Sequence, residues 1–168
     1  KQLLSTKKNG YDRPVDEAAM ESYCDGYKAF LDTGKTERLC AAEIVRLAEG
    51  RGYRPYVRGM DLKAGDRVYL CNRGKAVLLA HIGRKSLAEG AQIAAAHIDS
   101  PRLDLKPNPL YEEAELAYFK THYYGGIRKY QWVTIPLELH GVIALRDGTS
   151  VQVNIGGDPG DPRLVITD

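Results

Sequence analysis

Apolar residues recur at helical spacing in the first fifty positions of the chain. In residues 14–33 they follow the three-and-four spacing of one buried helical stripe, and Gly34 follows as a stop signal. A second helix is predicted over 36–49, because Thr36 can cap its first turn and Gly50 follows its last apolar residue. The pattern therefore predicts two consecutive amphipathic helices.

Short runs rich in β-branched and aromatic residues follow these helices. Residues 54–57 form the first run, while Arg67–Asn72 and 75–82 form two more that are joined around residues 73–74, an Arg-Gly pair typical of a hairpin turn. Residues 91–98 read AQIAAAHI, with almost no polar alternation, as expected of a strand covered on both faces. We expect this segment to be the central strand of a mixed sheet.

The composition changes near residue 107, where Pro107 and Pro109 punctuate the chain. Beyond this point strands are predicted over Leu116–Tyr124, 134–145 and 151–155. Residues 156–162 are rich in Gly, Pro and Asp and form a predicted loop. We place a domain boundary between 106 and 107, so that helices and a mixed sheet precede an all-β segment.

Composition and charge narrow the class of protein. The chain has 168 residues, 43% hydrophobic and 27% charged, which is typical of one or two small globular domains and excludes a disordered or collagen-like chain. Its 24 Lys and Arg against 22 Asp and Glu leave a net charge of +2, which is too balanced to indicate a nucleic-acid or membrane partner. The longest apolar runs fall short of the roughly 20 residues that a membrane span needs, and the start lacks a signal-peptide core.

Three cysteines, Cys24, Cys40 and Cys71, form an odd set without C-x-x-C spacing. Such a set favours reduced thiols in a cytosolic protein over a disulfide framework. We expect all three to be packing residues, because the sequence shows no His-plus-acid partner for a nucleophilic thiol.

The chemical signal of the sequence lies at the end of the predicted central strand, in His97-Ile98-Asp99-Ser100-Pro101. Sites in open α/β sheets lie at such strand ends. Because a strand places residues i and i+2 on one face, His97 and Asp99 are close if the extended geometry continues past Ile98. A carboxylate that accepts a hydrogen bond from one ring nitrogen orients an imidazole whose other nitrogen binds a metal. His97 is therefore a candidate metal ligand, oriented by Asp99.

His-x-Asp alone is a weak pattern, and a buried histidine satisfied by a neighbour is its commoner explanation. The surrounding segments change that balance: they read AAAHIDSPRLDLKPNPLYE, THYYGGIRKYQWVTIPLELHGVI and VNIGGDPGDPRLVITD. They resemble the aspartyl aminopeptidase family of cytosolic zinc metallopeptidases, in particular its clostridial-type bacterial branch. The resemblance covers most of the chain and is most specific over residues 91–168.

The resemblance implies an α/β fold, with residues 1–106 as the front part of an α/β/α metallopeptidase catalytic domain and 107–168 as the start of an inserted β-rich lid domain. It implies that His97 is a ligand of a two-zinc site and that Asp99, counted among the catalytic residues, orients it. The implied activity is metal-dependent removal of N-terminal residues from peptide substrates. Family members form closed homo-oligomers, including dodecamers, so assembly and a cytoplasmic location are expected.

Most of the family's metal site follows the position of Asp168. The general-base glutamate, the bridging aspartate, the remaining carboxylate ligands and a second histidine all lie beyond it in the family. A zinc site needs three or four protein ligands, so one matched ligand cannot hold two metals. The sequence leaves open whether the natural polypeptide continues past Asp168. This chain alone lacks a complete metal site and is expected to be inactive.

Other histidines and acids in the chain are weaker candidates. His81 lies in the apolar run AVLLAHIG, which favours a hydrogen-bonded core residue, and structural or surface roles are favoured for His122 and His140. The acidic run consists of Glu112, Glu113 and Glu115. Such a run usually forms a solvated face.

Nucleotide and nucleic-acid sites are disfavoured. The glycine pairs at 125–126 and 156–157 lack the spacing of a phosphate-binding loop and are interpreted as turns. Aromatic residues between 118 and 132 interleave with Lys120, Arg128 and Lys129, a composition that can stack single-stranded bases. Aromatic residues are also common in strands and at subunit contacts, and the near-neutral charge favours that explanation.

Two alternatives to the aspartyl aminopeptidase interpretation remain. One is a different hydrolase with the same His-x-Asp arrangement, such as a deacylase or a glutamyl-type aminopeptidase, although GGIRKYQW and DPGDP match the aspartyl aminopeptidase pattern. The other is a non-catalytic binding or assembly module that kept the front half of the fold.

Overall fold

The computed structural model describes residues 9–12, 14–133 and 135–166, and the chain divides into two compact units, Lys1–Ile98 and Asp99–Asp168. The first unit contains two helices and a three-stranded sheet, and the second contains two antiparallel hairpins. This division lies before the predicted boundary at residue 107. The assignment of the two parts to a catalytic domain and a lid stays a prediction.

The two predicted helices are confirmed. Helix α1, Glu17–Thr33, begins at Asp16, whose carboxylate accepts a hydrogen bond from the Ala19 N–H (3.0 Å), and the Gly34 N–H closes its last turn on the Phe30 carbonyl (2.8 Å). Helix α2, Glu37–Glu49, is capped by the Thr36 hydroxyl, which accepts from the Leu39 N–H at 3.3 Å. Within the described residues, short 3-10 turns lie at Gly10–Asp12, Leu87–Glu89 and Lys129–Gln131.

The core of the first unit lies under α2. Its buried apolar residues include Cys40, Ala41 and Ala48 of α2 and Val68 of the sheet. The predicted burial of the α1 stripe is wrong, because Met20, Tyr23, Tyr27 and Leu31 are exposed and Phe30 is half-buried. The spacing of apolar residues indicates which face of a helix prefers a partner, but it cannot show that the partner is present.

The sheet of the first unit is mixed, as predicted. Strand β1, Arg54–Pro55, pairs in parallel with β2, Arg67–Asn72, which pairs antiparallel with β3, Ala76–His81. Residues 73–75 connect the two strands, and the Lys75 N–H donates to the Asn72 carbonyl at 3.0 Å. Arg73 and Gly74, the two central residues of this turn, both have positive φ angles (54° and 65°), as a primed β-turn requires. The predicted hairpin is therefore confirmed.

The predicted central strand is wrong. In the part of the chain that the structure describes, residues 91–98 are not assigned to any strand, and residues 91–97 are exposed, with Ile93 87% exposed. A buried parallel strand requires hydrogen-bonded neighbours on both sides. The described sheets are β1-β2-β3 and two hairpins, and none of them includes this segment.

The second unit begins with a long hairpin. Strand β4, Arg102–Glu113, pairs antiparallel with β5, Leu116–Tyr124, which has the predicted bounds. Pro107 and Pro109 do not interrupt β4, because they lie where the register shifts between Leu105 and Leu110. Proline is tolerated at such irregularities because the ladder lacks a regular hydrogen bond there.

A second hairpin completes the described part of this unit. Strand β6, Leu139–Ala144, pairs with β7, Ser150–Ile155, which confirms the predicted strand over 151–155. The predicted strand over 134–145 is shorter than expected, and Thr134 lies outside the described residues. Before β6, Val133 forms an isolated β-bridge with Ile166, and Leu137 forms one with Leu164. Both bridge partners follow the predicted loop over 156–162.

None of the helices among the described residues combines the length and the apolar character that crossing a bilayer requires.

Candidate metal centre

His97 is exposed and lies near the end of segment 91–98, which has no assigned secondary structure. A histidine buried in an apolar core, the common alternative for this pattern, is therefore wrong for His97. Neutral imidazole is a common metal ligand.

Asp99 is half-buried, and its carboxylate is held by a tyrosine. The Tyr124 hydroxyl donates a hydrogen bond to Asp99 Oδ2 at 3.1 Å. Tyr124 is the last residue of β5, so the long hairpin brings it to Asp99 from 25 positions downstream in the chain. The two units divide between Ile98 and Asp99, and the predicted pairing of the His97 ring with this carboxylate stays a prediction.

The ring of Tyr124 is covered by an arginine from the neighbouring strand. Arg102 and Tyr124 are directly opposite in the β4–β5 ladder, and the Arg102 guanidinium carbon lies 4.0 Å from the ring centroid. Arg102 Nε also donates to Asp104 Oδ1 at 2.8 Å, two residues along β4 on the same face. These contacts connect four residues in series, and we call them the Asp99 contact series: Asp104, Arg102, Tyr124 and Asp99.

The backbone at the end of this hairpin is close-packed. Gly125 follows Tyr124 with a φ of +75°, and a Cβ atom built at Gly125 would lie 3.5 Å from the Pro101 Cα atom. Pro101 directly precedes β4 and Gly125 directly follows β5. The Asp99 contact series therefore lies where the start of β4 and the end of β5 are close together.

The described residues do not assemble a complete metal site. Among them, His, Cys, Asp and Glu side chains form no group of three or more that could hold an ion. The donor chemistry of His97 and Asp99 fits one zinc ligand and the carboxylate that orients it, which is the part of the site that the sequence predicts for this chain.

The other histidines have surface or structural surroundings. His81, on β3, is exposed, so the prediction of a core histidine is wrong there. His122 stacks on Tyr123 with ring centroids 5.3 Å apart. His140 is held through both ring nitrogens, with Nε2 2.8 Å from Glu138 Oε2 and Nδ1 3.0 Å from Asn154 Oδ1, which is a structural role as predicted.

Acidic and thiol groups follow the predictions in part. Glu112, Glu113 and Glu115 are exposed, which confirms a solvated face.

Cys40 is buried, and its thiol donates a hydrogen bond to the Gly34 carbonyl at 2.9 Å. Burial, together with the nearby Glu37 carboxylate, raises the pKa of the Cys40 thiol. The packing role predicted for Cys24 and Cys71 is wrong, because both are exposed.

The aromatic and basic residues of the long hairpin contact one another. The rings of Tyr111 and Tyr118 stack at 5.3 Å, and Lys120 Nζ lies 5.2 Å from the Tyr111 ring centroid. Lys129 Nζ lies 5.9 Å from the ring of Tyr123. The two contacts of Tyr111 join β4 to β5, which supports the explanation that these aromatic residues pack within strands.

Comparison with known proteins decides the family. A family model described as aminopeptidase I zinc metalloprotease (M18) matches residues 30–168. The chain belongs to the M18 family. Its α/β fold class is confirmed by the same comparisons, because helices and sheets of this chain superimpose on parts of solved M18 aminopeptidases.

The M18 relatives are similar in sequence and in structure. A probable M18 family aminopeptidase 1 from Clostridium acetobutylicum is 49% identical over 172 residues, covering 99% of this chain and 37% of that protein. The crystal structure of the M18 aminopeptidase from Thermotoga maritima matches with a TM-score of 0.88 and 42% identity, covering 98% of this chain and 36% of that one.

A third M18 structure shows the same relation. Aminopeptidase I from Borrelia burgdorferi B31 matches with a TM-score of 0.86 and 38% identity, covering 96% of this chain and 40% of that chain. The chain therefore spans between 36% and 40% of the length of these three M18 relatives.

Proposed function

We propose that the protein containing this chain is a zinc-dependent aminopeptidase, a hydrolase that removes N-terminal residues from peptides at a site with two zinc ions. This chain would supply the first part of that site. The observation that carries the proposal is the M18 match over residues 30–168, which includes His97 and Asp99. The match also disfavours a deacylase or a glutamyl-type aminopeptidase.

In this proposal His97 binds zinc through one ring nitrogen. Asp99 accepts a hydrogen bond from the other ring nitrogen, which fixes the tautomer and the direction of the imidazole. The Tyr124 hydroxyl, 3.1 Å from Asp99 Oδ2, supports this assignment because it restricts the carboxylate to one orientation. Bound zinc supplies polarisation of the scissile carbonyl and a bound water of lowered pKa.

Location and assembly are part of the same proposal. Free cysteines, with Cys24 and Cys71 exposed, suit a reducing compartment, so we place the enzyme in the cytoplasm. The long aromatic hairpin, with Leu110 67% and Tyr123 54% exposed, is suited to contacts between subunits of a homo-oligomer.

The first prediction tests the zinc ligand in the protein that contains this chain. We expect the purified protein to bind zinc and to release N-terminal residues from peptides, and we expect His97→Ala to lower both zinc content and turnover by about tenfold or more. His81→Ala is the matched control, because His81 is also exposed but lies on β3. Atomic absorption and a peptidase assay measure the two quantities.

Two results would contradict the proposal. If the unsubstituted protein binds no zinc and hydrolyses no peptide, the alternative of a non-catalytic binding or assembly module is correct. If His97→Ala and His81→Ala behave alike in a protein that is active, His97 is not the ligand.

A further inference from the structure

We infer that Tyr124 is a positioning residue of the metal site, acting through the carboxylate of Asp99. The inference rests on the proposed function and assigns to that site a residue outside the His-x-Asp pattern. Its basis is the hydrogen bond from the Tyr124 hydroxyl to Asp99 Oδ2 at 3.1 Å.

The orientation of a supporting carboxylate matters because its hydrogen bond to the imidazole has a preferred direction. A carboxylate that can rotate presents its two oxygens in many directions, while a carboxylate with one oxygen fixed by a donor presents the other in few. Tyr124 donates to Oδ2 of Asp99 and so restricts the rotation of this carboxylate.

The tyrosine is itself held in place by its neighbours. The Arg102 guanidinium carbon lies 4.0 Å from the Tyr124 ring centroid, and Arg102 Nε is fixed by Asp104 at 2.8 Å. The ladder pairs Arg102 directly with Tyr124, so the strand register sets this stacking. A hydroxyl on a ring clamped in this way loses little conformational entropy when it donates to Asp99.

The position of Tyr124 in the fold gives its hydroxyl access to Asp99. β5 ends at Tyr124, and the next residue, Gly125, lies against Pro101, which directly follows the His-Ile-Asp-Ser segment. The hairpin therefore returns the chain to the site through a backbone contact, and it carries the tyrosine with it.

The test uses the zinc-loaded protein that contains this chain and compares Tyr124→Phe with Tyr123→Phe. Tyr124→Phe keeps the ring under Arg102 and removes the hydroxyl that donates to Asp99. Tyr123→Phe removes a hydroxyl one residue earlier on β5, from a ring whose contacts are with His122 and Lys129. Zinc dissociation constants, kcat, KM and thermal unfolding midpoints are measured for both variants.

We expect Tyr124→Phe to weaken zinc binding and to lower kcat by about tenfold each, with KM changed less than about twofold, because outer partners of a metal ligand affect affinity and activity on this scale. The unfolding midpoint of the metal-free Tyr124→Phe protein should match that of Tyr123→Phe, and Tyr123→Phe should match the unsubstituted protein in zinc affinity and kcat. A purely structural role would lower the midpoint without this selective loss.

A double-mutant cycle with Asp99→Asn separates action through Asp99 from any other effect. If Tyr124 acts through Asp99, Tyr124→Phe should change the zinc dissociation constant by less than about twofold in the Asp99→Asn background. Additive effects, or a Tyr124→Phe variant that matches the Tyr123→Phe control, would overturn the positioning role while an active, zinc-binding parent leaves the proposed function standing. A parent without zinc or turnover overturns both.

Discussion

Gly156 shows how one residue in the loop after β7 is fixed by both its backbone and its surroundings. It is buried, has a φ of +104°, and donates its N–H to Asp161 Oδ2 at 2.7 Å. A Cβ atom built there would lie 2.8 Å from the Leu137 carbonyl oxygen and 3.2 Å from the Glu138 Cα atom. Because both obstacles are backbone atoms, the loop must move to admit a side chain.

The second prediction is that Gly156→Ala lowers the free energy of unfolding by about 2 kcal/mol or more, through a strained φ and the clash with the Leu137 carbonyl. Gly160→Ala is the matched control, since a Cβ there has open space and the residue lies in the same loop. Urea unfolding of both variants measures the difference. Equal stability of the two variants would contradict the assignment of strain to Gly156.

At the scale of elements, the tip of the long hairpin departs from the usual turn chemistry. Ala114 and Glu115 both have positive φ (50° and 64°) and connect β4 to β5 as a two-residue turn. Turns of this kind favour Asn-Gly, because a Cβ atom makes the left-handed conformation costly. The three-residue connection between β2 and β3 also has two consecutive residues with positive φ, and its second such residue is Gly74.

The third prediction is that the double substitution Ala114→Asn with Glu115→Gly stabilises the β4–β5 hairpin by about 1 kcal/mol, since each change relieves backbone strain at an exposed turn. Slower amide hydrogen exchange across the β4–β5 ladder and a higher unfolding midpoint are the measurements. Glu115→Ala, which removes the charge but keeps the Cβ atom, should give no stabilisation. If Glu115→Ala also stabilises the hairpin, the stabilisation comes from removing a charge of the acidic run and not from relief of backbone strain.

Local signals explain which elements could be predicted from the sequence. The caps at Thr36 and Gly34 and the Arg-Gly turn are interactions over three or four residues, so their patterns are visible along the chain. The structure of residues 91–98 could not be predicted in this way, because a strand requires a hydrogen-bonded partner, and partners come from any part of a polypeptide. The exposed apolar stripe of α1 has the same explanation.

The residues of the candidate site also differ in whether local sequence signals could identify them. His97 and Asp99 are two positions apart, so the sequence pattern and its resemblance to a known family identified them together. Tyr124 was missed as a partner of Asp99, because only the β4–β5 register brings it back from 25 positions away. Gly125, directly after the predicted strand, indicates a turn at that point. It does not indicate which side chain lies close to Asp99.

At the scale of the whole molecule, hydrogen bonds within each unit form the helices and hairpins of the described residues. The helices are capped by Asp16 and Thr36, and the hairpins β2–β3, β4–β5 and β6–β7 each have a continuous or once-interrupted ladder. These interactions do not depend on a metal ligand. Secondary structure and the proposed zinc chemistry should therefore respond separately to removal of the metal.

The fourth prediction follows from that separation. A chelator should abolish the peptidase activity of the zinc-loaded protein while its far-ultraviolet circular dichroism, which reports the helices and hairpins, stays unchanged at room temperature. Added zinc should restore activity, and it should raise the unfolding midpoint because it binds the folded state preferentially. Treatment of the His97→Ala variant with chelator is the control, since its midpoint should move less. If the dichroism signal collapses with the metal, zinc holds the fold together, and the proposed separation of secondary structure from metal binding is wrong.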